Sequence, residues 1–170
     1  MEACPRLDMF PQTPFVCAQE SSNLGLAIKK LIRLQYNENP EDFRSEVTSF
    51  TTLRNDSCVK MITSGDTGLK NLKKYYCQLV FFQNRFKVLE SPLMKKGPFD
   101  FPWSEADDDL LMGPTNYDNL DSEMAFVLYN IGVMYTSLAN RENRTDSESM
   151  KTACTYYQNA AWAFHTLPDR

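Results

Sequence analysis

Histidine, glycine and paired cysteines are scarce in this 170-residue sequence, and each shortage excludes a class of chemistry. The one histidine, His165, leaves no pair for zinc and argues against a Cys–His nucleophile. The six glycines are dispersed, so neither G-x-x-x-x-G-K-[ST] nor G-x-G-x-x-G occurs to cradle a phosphate. None of the five cysteines opens a glycine-rich, arginine-closed loop of the cysteine-phosphatase type. The sequence therefore predicts a protein that is not an enzyme and needs no cofactor or metal.

Excess positive charge and long apolar runs are also lacking. The net charge of −4 argues against a dedicated nucleic-acid binder, which concentrates cations against phosphates. No segment reaches the roughly 20 apolar residues of a transmembrane helix, and the start of the chain is not a signal peptide. Scattered cysteines without a C-x-x-C pair favour reduced thiols over a disulfide framework. We expect a cytoplasmic protein without nucleic-acid partners or a transmembrane segment.

Two amphipathic helices are predicted between Asp118 and Leu167, joined by a polar loop that runs from Asn140 to Ser149. The Asp146 side chain in that loop can accept amide hydrogens at the start of the second helix. Their expected apolar stripes recur every three or four residues. They are Leu120, Met124, Val127, Leu128, Ile131, Tyr135 and Leu138 in the first helix, and Met150, Cys154, Tyr157, Ala161 and Phe164 in the second.

Small residues in this hairpin follow a looser repeat pattern. Gly132, Ala153 and Ala160, with Tyr135 and Pro168, reproduce the spacing of a tetratricopeptide unit, although the loop is several residues too long. Small and aromatic residues at helical spacing also occur in ordinary helical cores. A tetratricopeptide-like solenoid and a plain helical core both remain open on this spacing alone.

Three further helices are predicted upstream. The first is capped by Ser22 or Asn23 and ends near Tyr36; the second starts at Asn39-Pro40; the third follows Gly65. Their expected inward residues are Leu24, Ala27, Ile28, Leu31 and Ile32 in the first, Phe43, Val47, Phe50 and Leu53 in the second, and Leu69, Leu72, Tyr76, Leu79, Val80, Phe81, Phe82 and Phe86 in the third. The proline-broken segment before them can form at most an edge strand or an extended arm. The acidic triplet Asp107 to Asp109 lacks the spacing of a cation loop and is read as a solvated face.

Five segments, taken in order, resemble the Bro-type domain family of Alix, the His-domain protein tyrosine phosphatase and the rhophilins. They are YNENPEDFRSEVTSFTTLR, KKYYCQLVFFQNRF with its Tyr-x-x-Gln-Leu pattern, FPW in place of F-T-W, DSEMAFVLYNIGVMYTSLA against Y-E-x-A-x-V-L-F-N-x-G, and MKTACTYYQNAAWAFHTL against a motif ending F-Q-x-A-A-G-A-F. The start MEACPR and the run M-K-x-x-C-T are most similar to the phosphatase branch.

The resemblance implies a mainly α fold: a tetratricopeptide-like helical solenoid with a small β-sheet near the N-terminus. Because the family domain is about twice as long, residues 1–170 correspond to its N-terminal portion, with an extended arm over 1–22 and a helical part over 23–167. The resemblance further implies a cytoplasmic scaffold, recruited to endosomes, for cargo sorting into multivesicular bodies. Its partner would be the C-terminal amphipathic helix of an ESCRT-III subunit of the charged multivesicular body protein type.

Two residues carry over to the family's partner-binding helix. Lys151 falls on the lysine that opens this helix, and Thr155 lies one turn later; both are expected on the side away from Cys154 and Tyr157. That these are two ordinary surface residues remains an open alternative. Two other functions also remain open: a truncated fragment without independent binding, and a peripheral membrane adaptor that uses Lys73, Lys74, Lys95 and Lys96 for transient endosomal association.

Overall fold

The computed structural model describes residues 15–60, 65–90, 96–104 and 113–167. In chain order these contain strand β1 (Cys17–Ala18), helix α1 (Leu24–Tyr36), helix α2 (Arg44–Arg54), helix α3 (Asp66–Arg85), strand β2 (Phe101–Ser104), strand β3 (Thr115–Tyr117), helix α4 (Leu120–Arg141) and helix α5 (Ser147–His165). A 3₁₀ turn at Pro40–Phe43 leads into α2, a π-helical turn at Asn55–Val59 extends it, and a second 3₁₀ turn at Lys87–Glu90 follows α3. Within these ranges no helix is long and apolar enough to cross a bilayer.

The fold is mainly helical with one small antiparallel sheet, as expected. The strand order is β1-β2-β3, with Cys17 opposite Ser104, Ala18 opposite Trp103, and Phe101 opposite Tyr117. The first strand is therefore an edge strand, which confirms that prediction for the part of the N-terminal segment described. The central strand is buried at Phe101, Pro102 and Trp103 and forms a floor against which the helices pack.

Helix α1 forms as its sequence pattern predicts. Its five expected inward residues are all buried: Leu24, Ala27, Ile28, Leu31 and Ile32. The cap differs, because the Ser21 hydroxyl, and not Ser22 or Asn23, accepts the hydrogen bond from the Leu24 amide at 3.1 Å. The helix ends at Asn37, whose backbone is left-handed with φ of 55°.

The inward faces of α2 and α3 are only partly as predicted. At the start of α2, the Asn39 side chain accepts from the Glu41 amide, as expected of a cap, but Phe43 is 39% exposed. On α3 the buried tyrosine is Tyr75 rather than Tyr76, and Phe81 is 68% exposed. The apolar face of α3 is therefore narrower than the sequence pattern indicates.

Helices α4 and α5 form the predicted hairpin, and α4 lies between α3 and α5. Small residues line the hairpin crossing: Ala153 is 1% exposed, Ala160 is 4% exposed, and a Cβ placed on Gly132 would lie 2.7 Å from the Phe164 ring. The small residues Gly132, Ala153 and Ala160 of the predicted spacing are thus all buried in the hairpin, while Pro168 lies outside the described residues. Pro11, Pro14, Lys95 and Asp107 to Asp109 also lie outside them.

Candidate functional site

The outer face of α5 carries both residues predicted to bind a partner. Lys151 and Thr155 are exposed one turn apart, on the side of the helix opposite Ala153 and Ala160, which pack toward α4. The Thr155 hydroxyl donates to the Lys151 carbonyl at 2.9 Å, so Thr155 presents mainly its methyl group and a spare oxygen lone pair. The structure therefore places the two side chains together on a solvent-facing helical surface.

The apolar stripe predicted for α5 is only partly correct, because Tyr157 and Phe164 are half-buried but the other predicted residues are exposed. Met150 is 51% exposed and Cys154 is exposed, so both lie on the outer face with Lys151 and Thr155 rather than beneath it. Trp162 is 57% exposed on the same outer side. We call the exposed set Met150, Lys151, Cys154, Thr155 and Trp162 the α5 face.

Aspartate 146 fixes the start of this helix. Its carboxylate accepts from the amides of Glu148 at 2.9 Å and Ser149 at 2.8 Å, and also from the Ser149 hydroxyl. These hydrogen bonds hold the pKa of Asp146 below its ordinary value. The cap predicted from the sequence is confirmed, and it places Lys151 in the first turns of the helix.

This cap predicts a dependence of stability on pH. A carboxyl whose pKa is lowered by folding stabilises the fold above its unfolded pKa, and this contribution is lost as the pH falls through the folded pKa. We expect Asp146→Ala to lower the melting temperature at pH 7, and the difference from the unmodified chain to shrink below about pH 4. Melting by circular dichroism across this range tests it. Asp146→Ser is the control, since it caps without titrating; an unchanged difference at low pH would contradict the prediction.

A second cluster, which we call the buried lock, lies beneath the helices. The Arg54 guanidinium donates to both Glu123 oxygens, at 2.8 and 3.5 Å, and to the Gln19 carbonyl at 2.8 Å. Glu123 also accepts from the Tyr75 hydroxyl at 2.8 Å and from the Trp103 indole at 2.6 Å. The side chains of Arg54 and Glu123 are fully buried. One ion pair thus joins α2, α3, α4, β2 and the segment after β1.

Burial controls the charges in the lock. It raises the pKa of Tyr75 and of the adjacent Cys58 well above their ordinary values, and the Glu123 carboxylate raises both further. Burial is the largest influence on the pKa of Arg54 and acts to lower it, but the charge and hydrogen bond of Glu123, together with Tyr75 and Cys58, outweigh burial, so the net direction is upward. At neutral pH the thiol and the phenol are therefore protonated while the guanidinium is charged. These groups are arranged to hold elements together and not to present a nucleophile.

Among the residues that the structure describes, no three His, Cys, Asp or Glu side chains are grouped to hold a metal ion.

Residues 12–170 match the family of BRO1-like domains. The chain belongs to this family.

The relatives of this BRO1-like domain carry several names. It is 28% identical over 99% of its length to mouse tyrosine-protein phosphatase non-receptor type 23, of which the match spans 9%. It is 30% identical over 89% of its length to vacuolar protein-sorting protein BRO1 of Yarrowia lipolytica, spanning 16% of that protein. Human rhophilin-1 is 31% identical over 84% of this chain. The resemblance to the phosphatase and rhophilin proteins is thus confirmed, while this chain spans less than a fifth of the first two.

A solved structure shows the same fold. The structure described as the ALIX BRO1 CHMP4C complex has a TM-score of 0.75 with this chain at 21% identity, covering 95% of this chain and 48% of that one. ALIX in complex with the SIVmac239 PYKEVTEDL late domain gives a TM-score of 0.71. The BRO1-like domain described here therefore spans about half of the first of these chains.

The buried lock was missed by reasoning from sequence patterns, although a signal for it was present. Its members occupy letters of the motifs that this BRO1-like domain shares with its family. Tyr75 is the tyrosine of Tyr-x-x-Gln-Leu, Trp103 ends F-x-W, and Glu123 is the glutamate of Y-E-x-A. The motif residues thus build the interior, whereas Lys151 and Thr155 lie on the surface.

Proposed function

We propose that this BRO1-like domain is a non-enzymatic scaffold whose α5 face binds the C-terminal amphipathic helix of an ESCRT-III subunit of the charged multivesicular body protein type. In this proposal residues 1–170 are the N-terminal portion of one domain that acts in endosomal cargo sorting. The protein is cytoplasmic and is recruited to endosomes. The observation that carries the proposal is the exposure of Lys151 and Thr155 side by side on a helix whose opposite side is buried against α4.

The composition of the α5 face supports a helical partner. Met150 and Trp162 offer apolar surface at the two ends of the face, and Lys151 offers a positive charge between them. A helix laid along this face can bury an apolar stripe against the methionine and the indole. Tryptophan is among the residues that contribute most to binding when an interface buries them.

Similarity to known proteins supports the same partner class. One solved relative is described as a complex of the ALIX BRO1 domain with CHMP4C, and one curated relative is named a vacuolar protein-sorting protein. The similarity to the tyrosine phosphatase spans 9% of that protein, so its name alone assigns no catalysis to this chain. We therefore propose binding, without catalysis, as the activity of the domain.

Reversing the charge of Lys151 is expected to weaken this binding. Lys151→Glu replaces a positive charge on the α5 face, favourable to the partner helix, with an unfavourable negative one. This change should raise the Kd for the partner helix about tenfold or more. Thr155→Ala should change the Kd less than twofold, because its hydroxyl already bonds within α5, whereas Thr155→Glu should weaken binding through bulk and charge. Fluorescence anisotropy with a labelled C-terminal helix of an ESCRT-III subunit measures these changes.

Lysine 74 provides the matched control. It is an exposed helical lysine on α3, so Lys74→Glu makes the same charge change away from the α5 face. Its Kd should equal that of the unmodified chain. An absence of saturable binding by the chain, or equal losses for Lys151→Glu and Lys74→Glu, would overturn the proposal.

A further inference from the structure

Helix α3 presents a second exposed surface that has no role in partner binding by α5. Lys70, Lys74, Phe81 and Arg85 are separated by four, seven and four residues, so they share one side of the helix over about 22 Å. All four side chains are exposed, and Phe81 is 68% exposed. We call these four residues, with Lys73, the α3 ridge.

The charge of the α3 ridge opposes that of the whole chain. Four of its five residues are cations, while the chain carries a net charge of −4. No ion pair within the described ranges neutralises Lys70, Lys74 or Arg85. The Lys73 ammonium group donates to the Tyr135 hydroxyl at 3.4 Å, which directs this side chain toward α4. These four cations are therefore grouped on one side of α3.

Nearby acids do not cancel this patch. Asp66, the first residue of α3, lies one turn before Lys70 and four turns from Phe81, and its charge is favourable at the positive end of the helix dipole. On the neighbouring helix α4, the Asp121 carboxylate accepts from the Gln83 amide at 2.8 Å. Three of the four cations, Lys70, Lys73 and Lys74, lie in the first half of the ridge, and Phe81 lies between them and Arg85.

An exposed aromatic ring among lysines is the combination by which interfacial helices bind anionic lipid. Cations are attracted to the headgroups, and the ring enters the boundary between headgroups and acyl chains. Phe81 projects from the exposed side of one helix, so the ridge fits a surface that can deform around the ring. A fluid bilayer does so, whereas a folded acidic partner would need a matching pocket. The charge complementarity therefore favours membrane.

We propose that the α3 ridge is a peripheral membrane-binding surface for bilayers rich in anionic phospholipid, with Phe81 as its apolar anchor. Of the four lysines expected from the sequence to serve membrane association, Lys73 and Lys74 lie on the ridge, whereas Lys96 lies near β2 and Lys95 is outside the described residues. Lys70, Phe81 and Arg85 complete the surface. The ridge leaves the α5 face free, so one molecule can hold a membrane and a partner helix together.

Sedimentation with vesicles tests this surface on the intact chain. We expect binding to phosphatidylcholine vesicles that contain phosphatidylserine, little binding to phosphatidylcholine alone, and a steep loss as salt rises. A basic residue near such a surface contributes about fivefold, so the reversal Lys74→Glu should weaken partition about 25-fold. Phe81→Ser should weaken it several-fold at every salt concentration, because its contribution is apolar. Circular dichroism and melting of each variant confirm that it folds.

The two surfaces provide reciprocal controls. Lys151→Glu should leave vesicle binding unchanged while it weakens binding of the partner helix, and Lys74→Glu should do the reverse. Equal binding to neutral and anionic vesicles, or no effect of Lys74→Glu, would overturn the membrane proposal. Binding to an acidic polypeptide such as polyglutamate, without binding to anionic vesicles, would overturn it too and would assign the ridge to an acidic protein partner.

Discussion

Glu123→Ala should cost about 4 kcal/mol or more of unfolding free energy, a large part of the 5–15 kcal/mol that holds a typical domain. The substitution leaves the Arg54 guanidinium buried without a counter-charge, and it removes the acceptor of the Tyr75 hydroxyl and the Trp103 indole. Each unsatisfied donor adds its own desolvation penalty. Urea unfolding followed by circular dichroism should show a lowered midpoint or no cooperative transition.

Two variants separate this lock from a general effect of removing charge. Asp121 lies on the same first turn of α4 as Glu123, but its carboxylate is exposed. In Asp121→Asn the side-chain amide oxygen can still accept the hydrogen bond from Gln83. It should cost about 0.5 kcal/mol or less. Arg54→Ala should cost about as much as Glu123→Ala, and the double substitution less than their sum, because both break one network. Additive costs would contradict a lock. A non-cooperative melt of the unmodified chain would instead favour a partly folded fragment.

Gly132→Leu should destabilise the fold by about 3 kcal/mol, at the upper end of the range for overpacked cores. Even a Cβ at this position would lie 2.7 Å from one carbon of the Phe164 ring and 2.8 Å from the next. A leucine must therefore displace the ring or push α5 away from α4. Thermal melting measures this loss of stability. If α5 shifts, binding of the partner helix through Lys151 should weaken in parallel.

A second substitution tests the cause of that loss. Gly132→Leu combined with Phe164→Ala should recover part of the stability, because the leucine then fills space that the ring occupied. Gly25→Ala, near the start of α1, is the matched control. The added Cβ would lie 3.7 Å from the Val47 side chain, which is an ordinary van der Waals distance. This change should be neutral or stabilising by up to about 1 kcal/mol through helix propensity. Failure of the double variant to recover stability would refute the clash as the cause.

Helix existence and bounds were readable from sequence where one face is apolar and the other charged. Helix α1 is the clearest case, because Lys30 and Arg33 oppose the five buried residues. Helix α5 is the opposite case. Apolar side chains surround it, so two phases of the helical period were available, and large residues indicated the wrong one. Because α5 packs closely against α4, its small alanines are buried at the contact, and Met150 and Trp162 remain exposed on the other side.

The lock was not predictable from residue type, because charged residues are rarely buried and Arg54 stands in a polar stretch of α2. Only tertiary structure brings Arg54 within reach of Glu123, 69 residues later. The exposure of Lys151 and Thr155 was predicted, although from a stripe of which Cys154 proved to be exposed and Tyr157 only half-buried. The α3 ridge was only half predicted, since Phe81 reads as core in any helical pattern but lies beyond the packed face.

The first strand depends on residues made long after it. The Asn130 side chain makes two hydrogen bonds to the backbone of Val16, which lies 114 positions earlier in the sequence. It accepts from the Val16 amide at 3.1 Å and donates to the Val16 carbonyl at 2.9 Å. At typical synthesis rates, Val16 waits on the order of ten seconds for this asparagine to leave the ribosome. During synthesis β2 emerges before Asn130, so β1 can meet its neighbouring strand before it meets the side chain that holds Val16. The hydrogen bonds at the start of β1 therefore cannot be complete until α4 has been made past Asn130.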